Sequence, residues 1–108
     1  MKLLPSLRQK KRYIAFEIKS PAQFSFSEVK EDIEQGLLLF FGQLGLARAA
    51  PLLLEEKYKN NKCILKINHK YVDECRAALI LIKKIKNKPV IIQSITVSGI
   101  LKKASARM

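Results

Sequence analysis

Few residues in this sequence could do covalent chemistry, and their spacing disfavours most of it. Cys63, Cys75 and the single histidine, His69, are the candidate soft ligands and nucleophiles. A structural zinc ion takes about four nitrogen and sulfur ligands, so these three cannot close such a site within one chain. Both cysteines lie in apolar strings and are expected to be reduced and buried, as in a cytosolic protein. His69 stands at a junction between elements with no partner in its string, which fits a capping or surface histidine. Glu55 and Glu56 are neighbours on a strand and point to opposite faces, a poor geometry for sharing a metal. Asp73 and Glu74 match the preference of a helix N-terminus for negative charge. Gly42, Gly45 and Gly99 form neither a phosphate-binding loop nor a dinucleotide fingerprint. No catalytic residue, and no metal or cofactor held by the protein itself, is therefore expected.

The chemistry that is present is cationic. Lys and Arg number 21 against 9 Asp and Glu, a formal net charge of +12. No acid precedes Glu17 and none follows Glu74, so both ends of the chain are purely basic. Self-repulsion on this scale costs stability unless a polyanion is at hand, and nucleic acid is the usual one. Arg8, Lys10, Lys11 and Arg12 run directly into the first strand, and Lys102, Lys103 and Arg107 follow the last. The first four, with Lys102 and Lys103, are the candidate RNA-binding residues. An anionic membrane is the weaker alternative, since neither predicted helix joins a basic polar face to low overall hydrophobicity. Pro5 interrupts "MKLLPSL", so no signal peptide is expected, and no apolar run approaches the length of a membrane span.

These residues need elements to hold them. From Arg12 to Lys19, Ile14, Phe16 and Ile18 alternate with Ala15, Glu17 and Lys19, the period of a strand with one wet face. "FSFSEVKEDIEQGLLLFFGQLG" then takes helical spacing, with Val29, Ile33, Leu37, Phe40 and Leu44 on one stripe. Ser25 or Ser27 can cap it, Ser25 and Glu28 have capping-box spacing, and Gly42 and Gly45 are expected to end it. Two short strands, about Leu52–Tyr58 and Lys62–Asn68, flank the turn string "KNNK" and read as a hairpin. A second helix is expected from about Tyr71 to Lys86, with Val72, Cys75, Leu79 and Ile82 inward and Lys83, Lys84 and Lys86 in its last turn. The β-branched run "VIIQSITV" closes the pattern. The order β-α-β-β-α-β predicts an α+β, ferredoxin-like two-layer sandwich with an antiparallel sheet and the topology of an RNA-recognition module. Residues 1–108 form one such domain, with a basic N-terminal arm (1–12) and a basic C-terminal tail (100–108).

RNA-recognition modules stack bases on aromatics of the two central strands. Here "KCILKINHK" has none and Tyr13 stands alone on the first strand, so contacts should run through charge to phosphate and ribose. The run "LLLFF", Leu37–Phe41, is apolar around most of the helix. Leu38, Leu39 and Phe41 fall outside the inward stripe and are the candidate partner interface or self-association surface. From the residues alone, a ribosomal or ribosome-associated RNA-binding protein would fit as well.

Longer strings add a resemblance. "LPSLRQKKRYIAFEI" resembles the opening of the archaeal ribonuclease P protein component 2 family, homologues of the eukaryotic Pop-five subunit. "GQLGLARAAPLLL", "NHKYVDECRAALILI" and "ITVSGILKK" are similar to its later segments, in the right order over nearly the whole chain. The resemblance implies a cytoplasmic, non-catalytic subunit of an endoribonuclease that removes the 5′ leader of precursor tRNA. It further implies that the RNA subunit is the catalyst and uses Mg²⁺. The partners it implies are that RNA, precursor tRNA within the complex, and a TIM-barrel-like subunit of about thirty kilodaltons. Arg76 matches a family arginine, although pairing with nearby Asp73 would account for it equally.

Overall fold

A computed structural model describes residues 10–106, so Arg8, most of the N-terminal arm, and Arg107 lie outside the described residues. Strand β1 (Lys11–Lys19) turns Ile14, Phe16 and Ile18 to one face, where at most 2% of each remains exposed. It pairs antiparallel with β3 (Lys62–Asn68) on one side and with the last long strand (Ile91–Ser98) on the other. The two-residue strand β2 (Leu52–Leu53) pairs with β3 at the sheet edge. Helices α1 (Phe26–Ala49) and α2 (Val72–Leu81) cover the inward face. A small hairpin, β4 (Lys84–Ile85) with β5 (Lys88–Pro89), precedes the last long strand, which is therefore β6, and α3 (Leu101–Ala106) follows it. The four-stranded sheet runs β2-β3-β1-β6, the ferredoxin-like arrangement expected from the element order.

The core is built from the periodicities of the sequence. Val29, Ile33 and Leu37 of α1 and Cys75, Ala78 and Leu79 of α2 pack on Phe16, Leu65, Ile67 and Ile92 of the sheet. The capping box forms at Ser25: the Glu28 N–H donates to Ser25 Oγ (3.3 Å), and the Ser25 N–H donates to Glu28 Oε1 (3.0 Å). Such a cap contributes about 1 kcal/mol, and the Ser25 N–H holds the Glu28 carboxyl below its usual range. Gly36 marks the close approach of the helices, since a Cβ there would lie 2.6 Å from Ile82 Cγ1.

Several elements differ from the sequence reading. Gly42 (φ 73°) kinks α1 without ending it, and the helix resumes to Ala49 before Ala50 adopts the left-handed cap. Val29, Ile33, Leu37 and Phe41 continue at a spacing of four, so Phe41 packs on the core while Phe40 and Leu44 are exposed. The second helix stops at Leu81 because Ile82 turns extended. Lys86 (φ 51°) and Asn87 (φ 64°) then form a two-residue turn with both φ positive, the geometry that suits tight hairpins. That turn buries Ile85 completely and brings Val90 inward, which outweighs continuing the helix from Ile82 to Lys86. Lys83, Lys84 and Lys86 are thus not last-turn partners of the dipole. Lys86 instead ties the hairpin to α1, its N–H donating to Asp32 Oδ2 (2.6 Å) and its Nζ meeting Glu31 Oε2 (2.8 Å).

The expected strand through Tyr58 shortens to Leu52–Leu53 and a 3₁₀ turn at Glu55–Lys57. The "KNNK" hairpin forms, with Asn60 and Asn61 both at positive φ. Asn61 is buried and fully occupied, accepting from the Phe24 N–H (3.1 Å) and donating to the Ala22 carbonyl (2.8 Å). Residues 101–106 of the expected basic tail form α3, which lies on the sheet's second face with Ala104 buried against Ala15 and Ile64.

Candidate nucleic-acid interface

The antiparallel registers decide where the basic residues gather. Lys11 pairs with Asn68 and Arg12 with Ile67, so the start of β1 lies beside the end of β3. Tyr13 pairs with Ser98, which brings the end of β6 to the same place. One end of the sheet therefore carries Lys10, Lys11 and Arg12 together with the chain entering α3. A Cβ on Gly99 would lie 3.2 Å from Arg12 Nη1, and exposed Lys102 and Lys103 follow in the first turn of α3. Five of the six sequence-predicted RNA contacts thus share one end of the molecule, and Arg8 lies outside the described residues.

Hydrogen bonds fix this end. The His69 N–H donates to the Lys10 carbonyl (2.9 Å), and His69 Nδ1 lies 3.2 Å from the same oxygen. Arg12 Nη1 donates to the Lys11 carbonyl (3.2 Å), so its guanidinium is held in register. Asn68 accepts from the Lys70 N–H (3.1 Å), which caps the turn that carries His69 and Lys70. Its Nδ2 contacts the Arg48 carbonyl at 3.5 Å, placing the end of α1 nearby.

Lys66, Lys70 and Arg48 were not singled out by sequence reasoning, and His69 was read only as a capping or surface histidine, because their proximity to β1 is a product of strand register. Lys66 lies opposite Tyr13 on the outer face of the sheet. The available signal was the element order itself, which puts the end of β3 next to the start of β1. After Lys70 the next acids in the chain are Asp73 and Glu74, exposed in the first turn of α2. The denser acidic group, Glu28, Glu31, Asp32 and Glu34, occupies the start of α1 and so the opposite end.

The outer face offers no stacking platform of the ordinary kind. Its centre, Ala15 and Ile64, is fully buried beneath Ala104, and Tyr13 packs into the same cluster with Leu54 and Leu101. A base cannot lie on those strands while α3 is seated. Ammonium and guanidinium groups around the rim suit phosphate oxygens, which fix position without reading sequence.

Other chemistry is limited among the described residues. No group of three or more His, Cys, Asp or Glu is gathered to hold a metal ion. Burial pushes the thiols of Cys63 and Cys75 up to about 12, so both stay protonated and poorly nucleophilic near neutral pH. Arg76 Nε donates to Ser94 Oγ (3.4 Å), tying α2 to β6. No described helix is long and apolar enough to cross a membrane.

The three candidate interface residues diverge. Leu39 is 88% exposed and Leu38 is 40% exposed, and they line different grooves on either side of α1. Phe41 turns inward and meets the Tyr71 ring edge-on at 6.2 Å.

Comparison with known proteins bears on this arrangement. The sequence profile of the Rpp14/Pop5 family matches residues 12–108. The chain is 40% identical over 101 residues to ribonuclease P protein component 2 of Pyrococcus abyssi, covering 94% of this chain and 86% of that one. Its counterpart from Methanocaldococcus jannaschii is 38% identical over 105 residues, covering 97% and 77%. In the cryo-EM structure of yeast ribonuclease MRP, one chain superimposes with a TM-score of 0.69 at 11% identity, over 92% of this chain and 86% of that one. That likeness is one of fold.

Proposed function

Because the chain belongs to the Rpp14/Pop5 family, we propose that it is a protein subunit of ribonuclease P that binds the catalytic RNA and assists removal of the 5′ leader from precursor tRNA. The observation that carries this reading is the family match across 12–108, joined to a basic sheet end that gathers Lys10, Lys11, Arg12, Lys102 and Lys103. In this reading those side chains bind phosphates of the RNA, and Arg8 extends the contact along the arm. The protein contributes no reacting group. Hydrolysis belongs to the RNA and its Mg²⁺, and the chain's part is to neutralise and position the RNA fold. It acts in the cytoplasm beside a TIM-barrel-like subunit of about thirty kilodaltons, for which the exposed leucines of α1 supply contact surface.

The test is to tag the chain in its native host, purify it at moderate salt, sequence the bound RNA and assay leader cleavage in the eluate. Enrichment of one ribonuclease P RNA with cleavage activity is the expected result. Enrichment of ribosomal RNA without that activity overturns the reading.

A further inference from the structure

A groove of about 740 Å³ opens between α1, the end of α2 and the β4–β5 hairpin. Leu39, Phe40, Leu81 and Ile82 form its apolar lining. Leu39 is 88% exposed and Leu81 63% exposed, on adjacent helices. An apolar surface of this kind, rimmed by charge, marks a contact with another macromolecule.

The rim states the chemistry of the occupant. Lys83 and Lys84 stand exposed at the hairpin side. On the α1 side, Asp32 is already engaged by the Lys86 N–H (2.6 Å), and Glu31 meets Lys86 Nζ at 2.8 Å. The acids beside the groove are thus answered from within the chain, and the charge left facing outward is positive. An RNA backbone would meet the lysines but has no aliphatic side chains to fill a leucine-lined cleft. A protein segment with apolar residues flanked by carboxylates meets both demands.

We propose that this groove seats an amphipathic, acid-flanked segment of a partner protein, its apolar side chains against Leu39, Phe40 and Leu81 and its carboxylates against Lys83 and Lys84. The inference rests on the reading of the chain as a subunit of a larger particle and narrows that reading to one surface and one partner chemistry. Apolar burial supplies most of the affinity, and the lysines set orientation and exclude basic competitors.

The experiment places a photo-activatable residue at position 39 of the full tagged chain, in the assembled particle in the native host, and identifies the cross-linked peptides by mass spectrometry. The side chain there is exposed, so the fold tolerates the replacement. The expected product is a protein segment with Asp or Glu within about one helical turn, about 5.4 Å of rise, of its cross-linked residue. The double charge reversal Lys83→Glu, Lys84→Glu should cut the yield roughly tenfold, equivalent to about 1.4 kcal/mol. Replacing the partner's acids by lysine should restore it. A cross-link to RNA, to a second copy of this chain, or to a segment without acids overturns the inference, as does no cross-link or a yield indifferent to the reversal. Leader cleavage by the same particle reports separately on the ribonuclease P reading.

Discussion

At the scale of residues, the two kinds of chemistry-bearing side chain behave in opposite ways. The lysines and arginines at the sheet end are, in the proposed reading, the groups that neutralise RNA phosphates. Lys10→Ala with Lys11→Ala should therefore lower RNA affinity and reduce the slope of log affinity against log salt by roughly two units, about one for each phosphate no longer neutralised. Binding titrations at several salt concentrations measure this, and an unchanged slope would remove the arm from the interface. The cysteines are instead shut away. Their unfolded thiols ionise near 9.0 and the folded ones only at about 12. Between those values the unfolded state binds fewer protons, so the stability they lend is complete below pH 9 and falls as pH rises. The decline is about 1.4 kcal/mol per pH unit for each thiol. Denaturant unfolding at about pH 8 and pH 10.5, outside and inside that window, should show a shallower alkaline loss in the Cys63→Ala, Cys75→Ala double variant than in the parent chain.

At the scale of elements, two packing relations lend themselves to substitution. Gly36→Ala would drive a Cβ to 2.6 Å from Ile82 Cγ1, an overpacking that should cost about 1–3 kcal/mol. In an Ile82→Ala background the same change should cost much less, and a double-mutant cycle in denaturant measures the difference. Ala104→Glu would bury a charge between α3 and the sheet. Hydrogen exchange should then show Leu101–Ala106 losing protection while β1 and β3 keep theirs, because α3 packs on a cluster separate from the main core.

The same elements show what the sequence disclosed. Alternation identified β1, the Ser25–Glu28 spacing located the start of α1, and "KNNK" located a hairpin, since each is governed by neighbours along the chain. The β4–β5 hairpin and α3 escaped because tertiary burial decides them, of Ile85 in one case and Ala104 in the other. Phe40 and Phe41 exchanged roles because an apolar run around the whole helix does not say which side faces inward. The candidate RNA site was legible as two charged strings at opposite ends of the chain. That they share one end of the sheet depends on pairings of Tyr13 with Lys66 and Ser98 that no local pattern encodes.

At the scale of the whole molecule, a net charge of +12 on 108 residues sets two salt dependences of opposite sign. Folding concentrates like charges, notably where β1 begins and β3 and β6 end, so the compact state bears more repulsion than the unfolded chain. Added salt screens that repulsion, with a Debye length of about 10 Å at 0.1 M. The attractive pairs it weakens in return include those of Lys86 with Glu31 and Asp32, at 2.8 and 3.9 Å on the surface, and exposed pairs of this kind contribute about 0–1 kcal/mol. The free protein should therefore melt at a higher temperature as salt rises from about 50 mM to about 200 mM, while its affinity for RNA falls steeply over that range. Calorimetry of the protein alone and RNA titrations in the same buffers check both signs. A melting temperature that fell with salt would mean that attractive pairs dominate and that the basic end carries no repulsion for an RNA to relieve.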